Sequence, residues 1–135
     1  MAKKEAIQDY LIELKAIDRH IKELQQQVES LEEQGMELAY IRQSIDELAQ
    51  APAGEALLVP LSNGIFAKAR LEDKDHLLVN VGANVVVKKT FSETKAMMEG
   101  QSAELQKMRK TLESSIHKLV ARAMEIDQMM SAMGD

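Results

Sequence analysis

The sequence predicts an α+β fold in which two long helices flank two β-hairpins and pair with each other as a long antiparallel α-helical coiled-coil hairpin. Three observations predict it. Apolar residues recur in steps of three and four toward both ends of the chain, the period changes to two in the middle, and the two helical stretches match in length. Composition agrees with an elongated, aliphatic molecule. Of 135 residues 45% are hydrophobic but only 3% aromatic, with two Tyr, two Phe and no Trp, so aliphatic side chains must carry the packing.

The first helix is expected over residues 7–48. Ile7, Leu14, Ile21 and Val28, continuing through Gly35 and Arg42, form one line spaced by seven; Tyr10, Ile17, Leu24, Leu31, Leu38 and Ile45 form the other. Glu, Gln and Lys fill the flanks, so the apolar stripe is narrow and calls for one partner helix. Ile41 and Leu48 fall outside both lines, which places a drift of the seam near Gly35.

Two hairpins are expected over residues 55–90. Leu57, Val59 and Leu61 alternate, Ser62-Asn63-Gly64 supplies turn chemistry, and Ile65, Ala67, Ala69 and Leu71 alternate on the return. Pro60 has no N–H to give a ladder, so the first strand is an edge strand or irregular there. After the polar break Glu72-Asp73-Lys74-Asp75 come Leu77, Val79 and Val81, then the turn Gly82-Ala83-Asn84, then Val85, Val86 and Val87. Leu58, Phe66, Leu78 and Val86 fall on the other face. A sheet this small, apolar on both faces and open at its edges, needs cover. Oligomerisation through the strands supplies it; helices folding down over the sheet are the other solution.

The second helix is expected over residues 92–133, with Ser92 as N-cap and Glu93 in the first turn. Met98, Leu105, Leu112, Leu119, Ile126 and Met133 are spaced by seven, with Met108, Ile116, Ala123 and Met130 between them. Each helix would span roughly 63 Å at 1.5 Å per residue. Antiparallel pairing then sets Ile7 against Met133, Leu14 against Ile126, Ile21 against Leu119, Val28 against Leu112, Gly35 against Leu105 and Arg42 against Met98. Arg42 would lay its stem on the seam and send its head to water.

Charge and motifs exclude several functions. The net charge is −5, and residues 1–50 alone carry 11 acidic and 6 basic side chains. Only Lys107, Arg109 and Lys110 form a compact basic group, so nucleic acid is not an expected partner. Phosphate-binding glycine loops, HExxH and GxSxG are absent from the sequence, and no catalytic residue, cofactor or metal is expected. His20 and His117 would share a height on the coiled coil near Glu23 and Glu113, a coincidence common on charged helices rather than a metal site. Asp73 and Asp75 suit a turn. No apolar run reaches the roughly 18 residues of a membrane span, Met1 to Tyr10 is too polar for a secretory signal, and the lack of Cys suits a reducing compartment. A cytoplasmic location without membrane partners is the expectation.

Methionine is the unusual residue. Met124, Met129, Met130 and Met133 fall within the last twelve positions, where antiparallel pairing brings them beside Ile7, Tyr10 and Leu11. Methionine is flexible and polarizable, so such a surface adapts to dissimilar apolar partners. Ile126, Met130 and Met133 are also placed to close the seam; Met124 and Met129 lie off it and are expected to be exposed.

This layout, and above all Leu58-Val59-Pro60-Leu61-Ser62-Asn63-Gly64 and Leu77-Leu78-Val79-Asn80-Val81-Gly82, resembles the alpha-type subunit of the prefoldin family over nearly the whole chain. The resemblance implies an ATP-independent chaperone, a hetero-hexamer of two alpha-type and four beta-type subunits. Its strands, represented here by Leu57, Val59, Leu61, Ile65, Phe66, Leu78, Val79, Val81, Val85 and Val87, would join into an intersubunit β-barrel. Apolar coiled-coil tips, here Ile7, Tyr10, Leu11, Met124, Met129, Met130 and Met133, would hold unfolded polypeptides and deliver them to a group II chaperonin. Asn80, Asn84, Val85 and Val86 stand where alpha-type subunits often carry Asp, Gly and aromatic residues. Some relatives assemble with themselves into filaments, so a structural coiled-coil scaffold without client delivery is the alternative reading.

Overall fold

The structure, a computed structural model, describes residues 2–134. In chain order its elements are α1 (Ala2–Gln50), β1 (Ala56–Ser62), β2 (Ile65–Arg70), β3 (His76–Asn80), β4 (Val86–Thr90) and α2 (Phe91–Met133). The chain divides into two compact units, Met1–Gly35 with Ala103–Asp135, and Met36–Ser102.

In the first unit segments of α1 and α2 run antiparallel. Arg122 grips Glu13, and Arg109 reaches Glu32 at 3.0 Å, so rising numbers on one helix meet falling numbers on the other. Both heptad lines of α1 face inward: Ile17, Leu24 and Leu31 are buried, and Ile7, Tyr10, Leu14, Ile21 and Val28 are half-buried. On α2, Ile126 is buried, and Leu105, Leu112, Ile116, Leu119, Ala123, Met130 and Met133 are half-buried. Met108 departs from the expected seam and is 53% exposed. It stands eight residues before Ile116 rather than seven, and the in-phase position is Arg109, whose ion pairs with Glu32 and Glu113 take it outward.

In the second unit Arg42 meets Glu99 at 2.8 Å and Lys95 meets Asp46. Both pairs add to 141, an antiparallel register within one residue of that expected for Arg42 and Met98. The Arg42 head leaves the seam for the Glu99 carboxylate. Ile45, Thr94 and Met98 are buried here. The C-terminal end of α1 is closed partly from outside the helix, since the Lys74 ammonium donates to the Ala51 carbonyl, a group that the helix itself leaves without a partner.

The strands form two separate antiparallel hairpins, β1–β2 and β3–β4. In the first, Leu57 pairs with Ala69, Val59 with Ala67 and Pro60 with Phe66, and the register slips between Pro60 and Ser62. That irregularity lies at the residue unable to donate. Asn63 and Gly64 both have positive φ, 39° and 80°, the pair of left-handed residues that a two-residue hairpin turn requires.

The second hairpin runs from His76 opposite Thr90 to Asn80 opposite Val86. Val81 and Val85, expected in strands, belong instead to the turn, where the Val81 N–H donates to the Val85 carbonyl at 2.9 Å. Gly82, Ala83 and Asn84 are all left-handed, with φ of 117°, 50° and 61°, and this run curls the chain before the ladder begins. At the other end β4 passes directly into α2. The Glu93 N–H donates to Thr90 Oγ1 at 3.0 Å while the Thr90 N–H donates to Glu93 Oε1 at 2.9 Å. This is a reciprocal capping box over Thr90-Phe91-Ser92-Glu93. The cap of α2 is therefore Thr90 and not Ser92, because only a residue three positions before Glu93 can exchange both bonds.

Candidate client and assembly surfaces

The first surface lies at the paired helix ends of the first unit. Once the heptad lines have closed the seam, the side chains left over are those just off it. Leu11 and Met124 are exposed, whereas Ile7, Tyr10, Met130 and Met133 are half-buried because they are seam residues. Met129 is also half-buried, contrary to expectation. It directly precedes Met130, and the edge of a seam shelters such a neighbour. The structure adds Ile12 and Val120, both exposed. Val120 lies one turn before Met124 on the same face of α2, a spacing legible in the sequence but overshadowed by the methionines.

Arg122 links the two helices electrostatically at these ends. Arg122 hydrogen-bonds both carboxylate oxygens of Glu13 and also meets Glu125 at 3.3 Å. Hydrogen bonding from Arg122 holds the Glu13 carboxyl below its usual value, and the same bond raises the Arg122 guanidinium. The pair ties the helices together beside the exposed apolar residues without covering them.

The second surface is carried by the hairpins of the second unit. Leu57, Val79 and Val87 are half-buried, while Val59, Leu61, Ile65, Phe66, Leu78, Val81 and Val85 are exposed, together with Leu58 and Val86. Each two-stranded sheet has two open edges and leaves large apolar side chains uncovered among polar ones, an arrangement that can pair with other chains. Polar groups position it. Asp73 Oδ1 accepts from the Asp75 and His76 N–H groups at 2.8 and 3.1 Å, fixing the turn that opens β3. Those bonds, led by the one from Asp75, hold the Asp73 carboxyl below its ordinary value. Its second oxygen faces His76 and, from β4, Lys88 at 3.5 Å.

His20 and His117 are both exposed, and among the described residues there is no group of three or more His, Cys, Asp or Glu that could hold a metal ion. Among the same residues no helix is long and apolar enough to cross a membrane.

Comparisons with known proteins agree with this architecture. The family model described as Prefoldin subunit matches residues 17–134. Prefoldin subunit alpha of Methanoculleus marisnigri is 28% identical over 126 residues, covering 93% of this chain and 84% of that protein. Prefoldin subunit alpha of Methanobrevibacter smithii is 26% identical over 110 residues, 82% of this chain and 70% of that protein. Human Prefoldin subunit 5 is 26% identical over 87 residues, 64% of this chain and 56% of that protein. A cryo-electron microscopy structure of filamentous PFD from Methanocaldococcus jannaschii shares the fold, with a TM-score of 0.59 at 22% identity over 93% of this chain and 98% of that one. With the family model running from residue 17 within α1 through both hairpins to the end of α2, the chain belongs to the prefoldin family, as a subunit of the alpha type.

Proposed function

We propose that this chain is a subunit of an ATP-independent holdase that binds unfolded polypeptides at the helix ends of its first unit and assembles through its hairpins. Family membership supports a chaperone-type role. The observation that carries the finer reading is the exposure of Leu11, Ile12, Val120 and Met124 beside a seam that is already closed. Those side chains keep much of their apolar surface in water and are free to meet a non-native segment. Each such contact is weak, but several subunits on one platform raise the effective concentration of the next contact, so a client is held firmly and released stepwise. The hairpins supply the platform by pairing with beta-type subunits, two alpha-type with four beta-type, and the held client passes to a group II chaperonin in the cytoplasm. The role is non-catalytic.

Co-expression with a beta-type subunit, followed by native mass measurement and an aggregation assay without ATP, tests this reading. A two-plus-four mass and suppressed client aggregation are expected. Leu11→Ser with Met124→Ser should keep the mass and weaken suppression. Full suppression by that variant would remove the helix ends from the mechanism. A second reading, self-assembly into filaments, is favoured by the likeness in fold to filamentous PFD. Electron microscopy of the chain alone, giving filaments or discrete particles, separates the two.

A further inference from the structure

In the second unit α1 carries two large apolar side chains on the face turned away from its partner helix. Met36 is 73% exposed and Tyr40 72% exposed. At about 100° per residue they lie one above the other, while the inward residues Leu38 and Ile45 point to the far side of the helix. Ile41, 40% exposed, lies about 100° round the helix from Tyr40, on the side of Ile45 and the seam, and is not part of this stripe. Neither the seam nor the hairpins account for this stripe, and a helix gains no stability from it.

Its charge surroundings indicate what would cover it. Glu47 continues the line of Met36 and Tyr40 by two turns, and Glu37 lies beside it; both are exposed. The other charges of this stretch are already matched, Arg42 to Glu99 and Asp46 to Lys95. Glu47 receives only the neutral Gln43 amide, at 3.3 Å. The stripe is thus methionine and tyrosine beside two carboxylates for which the described residues supply no ion-pair partner. Methionine adapts its shape, and tyrosine offers a broad face on which aliphatic stems of Lys or Arg can lie and cations can stack.

We propose that Met36 and Tyr40, flanked by Glu37 and Glu47, form a docking surface for a polypeptide segment that combines positive charge with apolar side chains. The surface is separate from the helix ends assigned to general client capture and does not depend on that assignment. It selects by charge as well as by apolarity, so a basic segment binds here in preference to a neutral one of the same apolar content. An acidic segment is repelled.

The test uses the full chain with two labelled peptides of equal length and identical leucine content, one Lys-rich and one with Gln in place of each Lys. A photo-crosslinking amino acid replaces Tyr40 in a second arm. The Lys-rich peptide is expected to bind at least ten-fold more tightly than the Gln peptide, to weaken with added salt, and to crosslink at position 40. Met36→Ser with Tyr40→Ser, and separately Glu37→Lys with Glu47→Lys, should each abolish the preference while circular dichroism stays unchanged. Leu11→Ser with Met124→Ser should leave it intact, so that failure here is distinguishable from failure of the holdase reading. Equal binding of the two peptides, unchanged preference in either variant, or crosslinking of position 40 chiefly to a second copy of this chain would overturn the assignment.

Discussion

Arg122 donates from Nε and Nη2 to the two carboxylate oxygens of Glu13, at 2.8 and 3.2 Å, across 109 residues of sequence. A planar guanidinium fork on a carboxylate is directional as well as charged, so it helps to fix where along α1 this part of α2 lies.

The pair has a pH signature. Arg122 depresses the folded-state value of Glu13 from its usual 4.5. A depressed carboxylate contributes stability that is fully present above the unfolded value and is lost as pH falls through the folded one. The loss therefore falls below about pH 4.5 and is absent at neutrality. Arg122→Gln should move the Glu13 titration up toward 4.5, read by side-chain carboxyl NMR. It should lower the melting temperature at pH 7 while converging with the parent protein under strong acid. An unchanged Glu13 titration would contradict the fork.

Burial separates two α2 residues that sequence spacing treats alike. Ile126 is 0% exposed, so Ile126→Ala should destabilise by about 2–5 kcal/mol through lost transfer energy and a residual cavity. Met108, largely in water, should tolerate Ala within about 0.5 kcal/mol. Urea denaturation of the two variants checks the contrast, and equal losses would restore Met108 to the seam.

Those two residues also show what was legible in the sequence and what was not. Spacing by seven identified Ile17, Leu24, Leu31, Ile126 and the half-buried residues around them because a narrow seam leaves that period little freedom. It misplaced Met108 because hydrophobicity by itself does not record a one-residue change of phase, and the in-phase residue was a charged one. Asn63-Gly64 announced its turn through residues that tolerate positive φ. Val85 did not announce its own, since the three left-handed residues before it include Ala83, which has no special preference for that conformation. For the candidate surfaces, Met124 and Leu11 were readable as apolar positions off the heptad lines. Ile12, Met36 and Tyr40 obeyed the same rule but lacked the clustering that drew notice to the C-terminal methionines.

The junction between β4 and α2 offers a cleaner local test. Thr90 and Glu93 satisfy each other's backbone N–H groups, and Thr94 Oγ1 donates to the Thr90 carbonyl at 2.9 Å. Thr90→Ala removes the cap and should cost about 1 kcal/mol, whereas Thr90→Ser should retain most of it. Ser92→Ala should change stability by only about 0.5 kcal/mol or less, because its side chain is not the cap. Faster amide exchange at Glu93 in Thr90→Ala, and not in Ser92→Ala, would identify the cap directly.

Leu78 separates folding from assembly. It is 74% exposed and stands across the ladder from Lys88, so Leu78→Asp leaves nothing unpaired within its own chain and should alter the dilute chain's stability by about 0.5 kcal/mol or less. If beta-type strands cover this face, the same carboxylate would be taken out of water with only Lys88 opposite it, a cation already engaged by Asp73, and at a desolvation cost of several kcal/mol the complex should dissociate. Sedimentation velocity of the co-expressed subunits, beside thermal melting of the separated chain, measures both quantities. A variant that melts like the parent and sediments as a small species places Leu78 in the assembly contact. One that sediments as the full complex leaves this face open and moves the contact to the other hairpin, where Phe66 and Leu61 are the exposed counterparts.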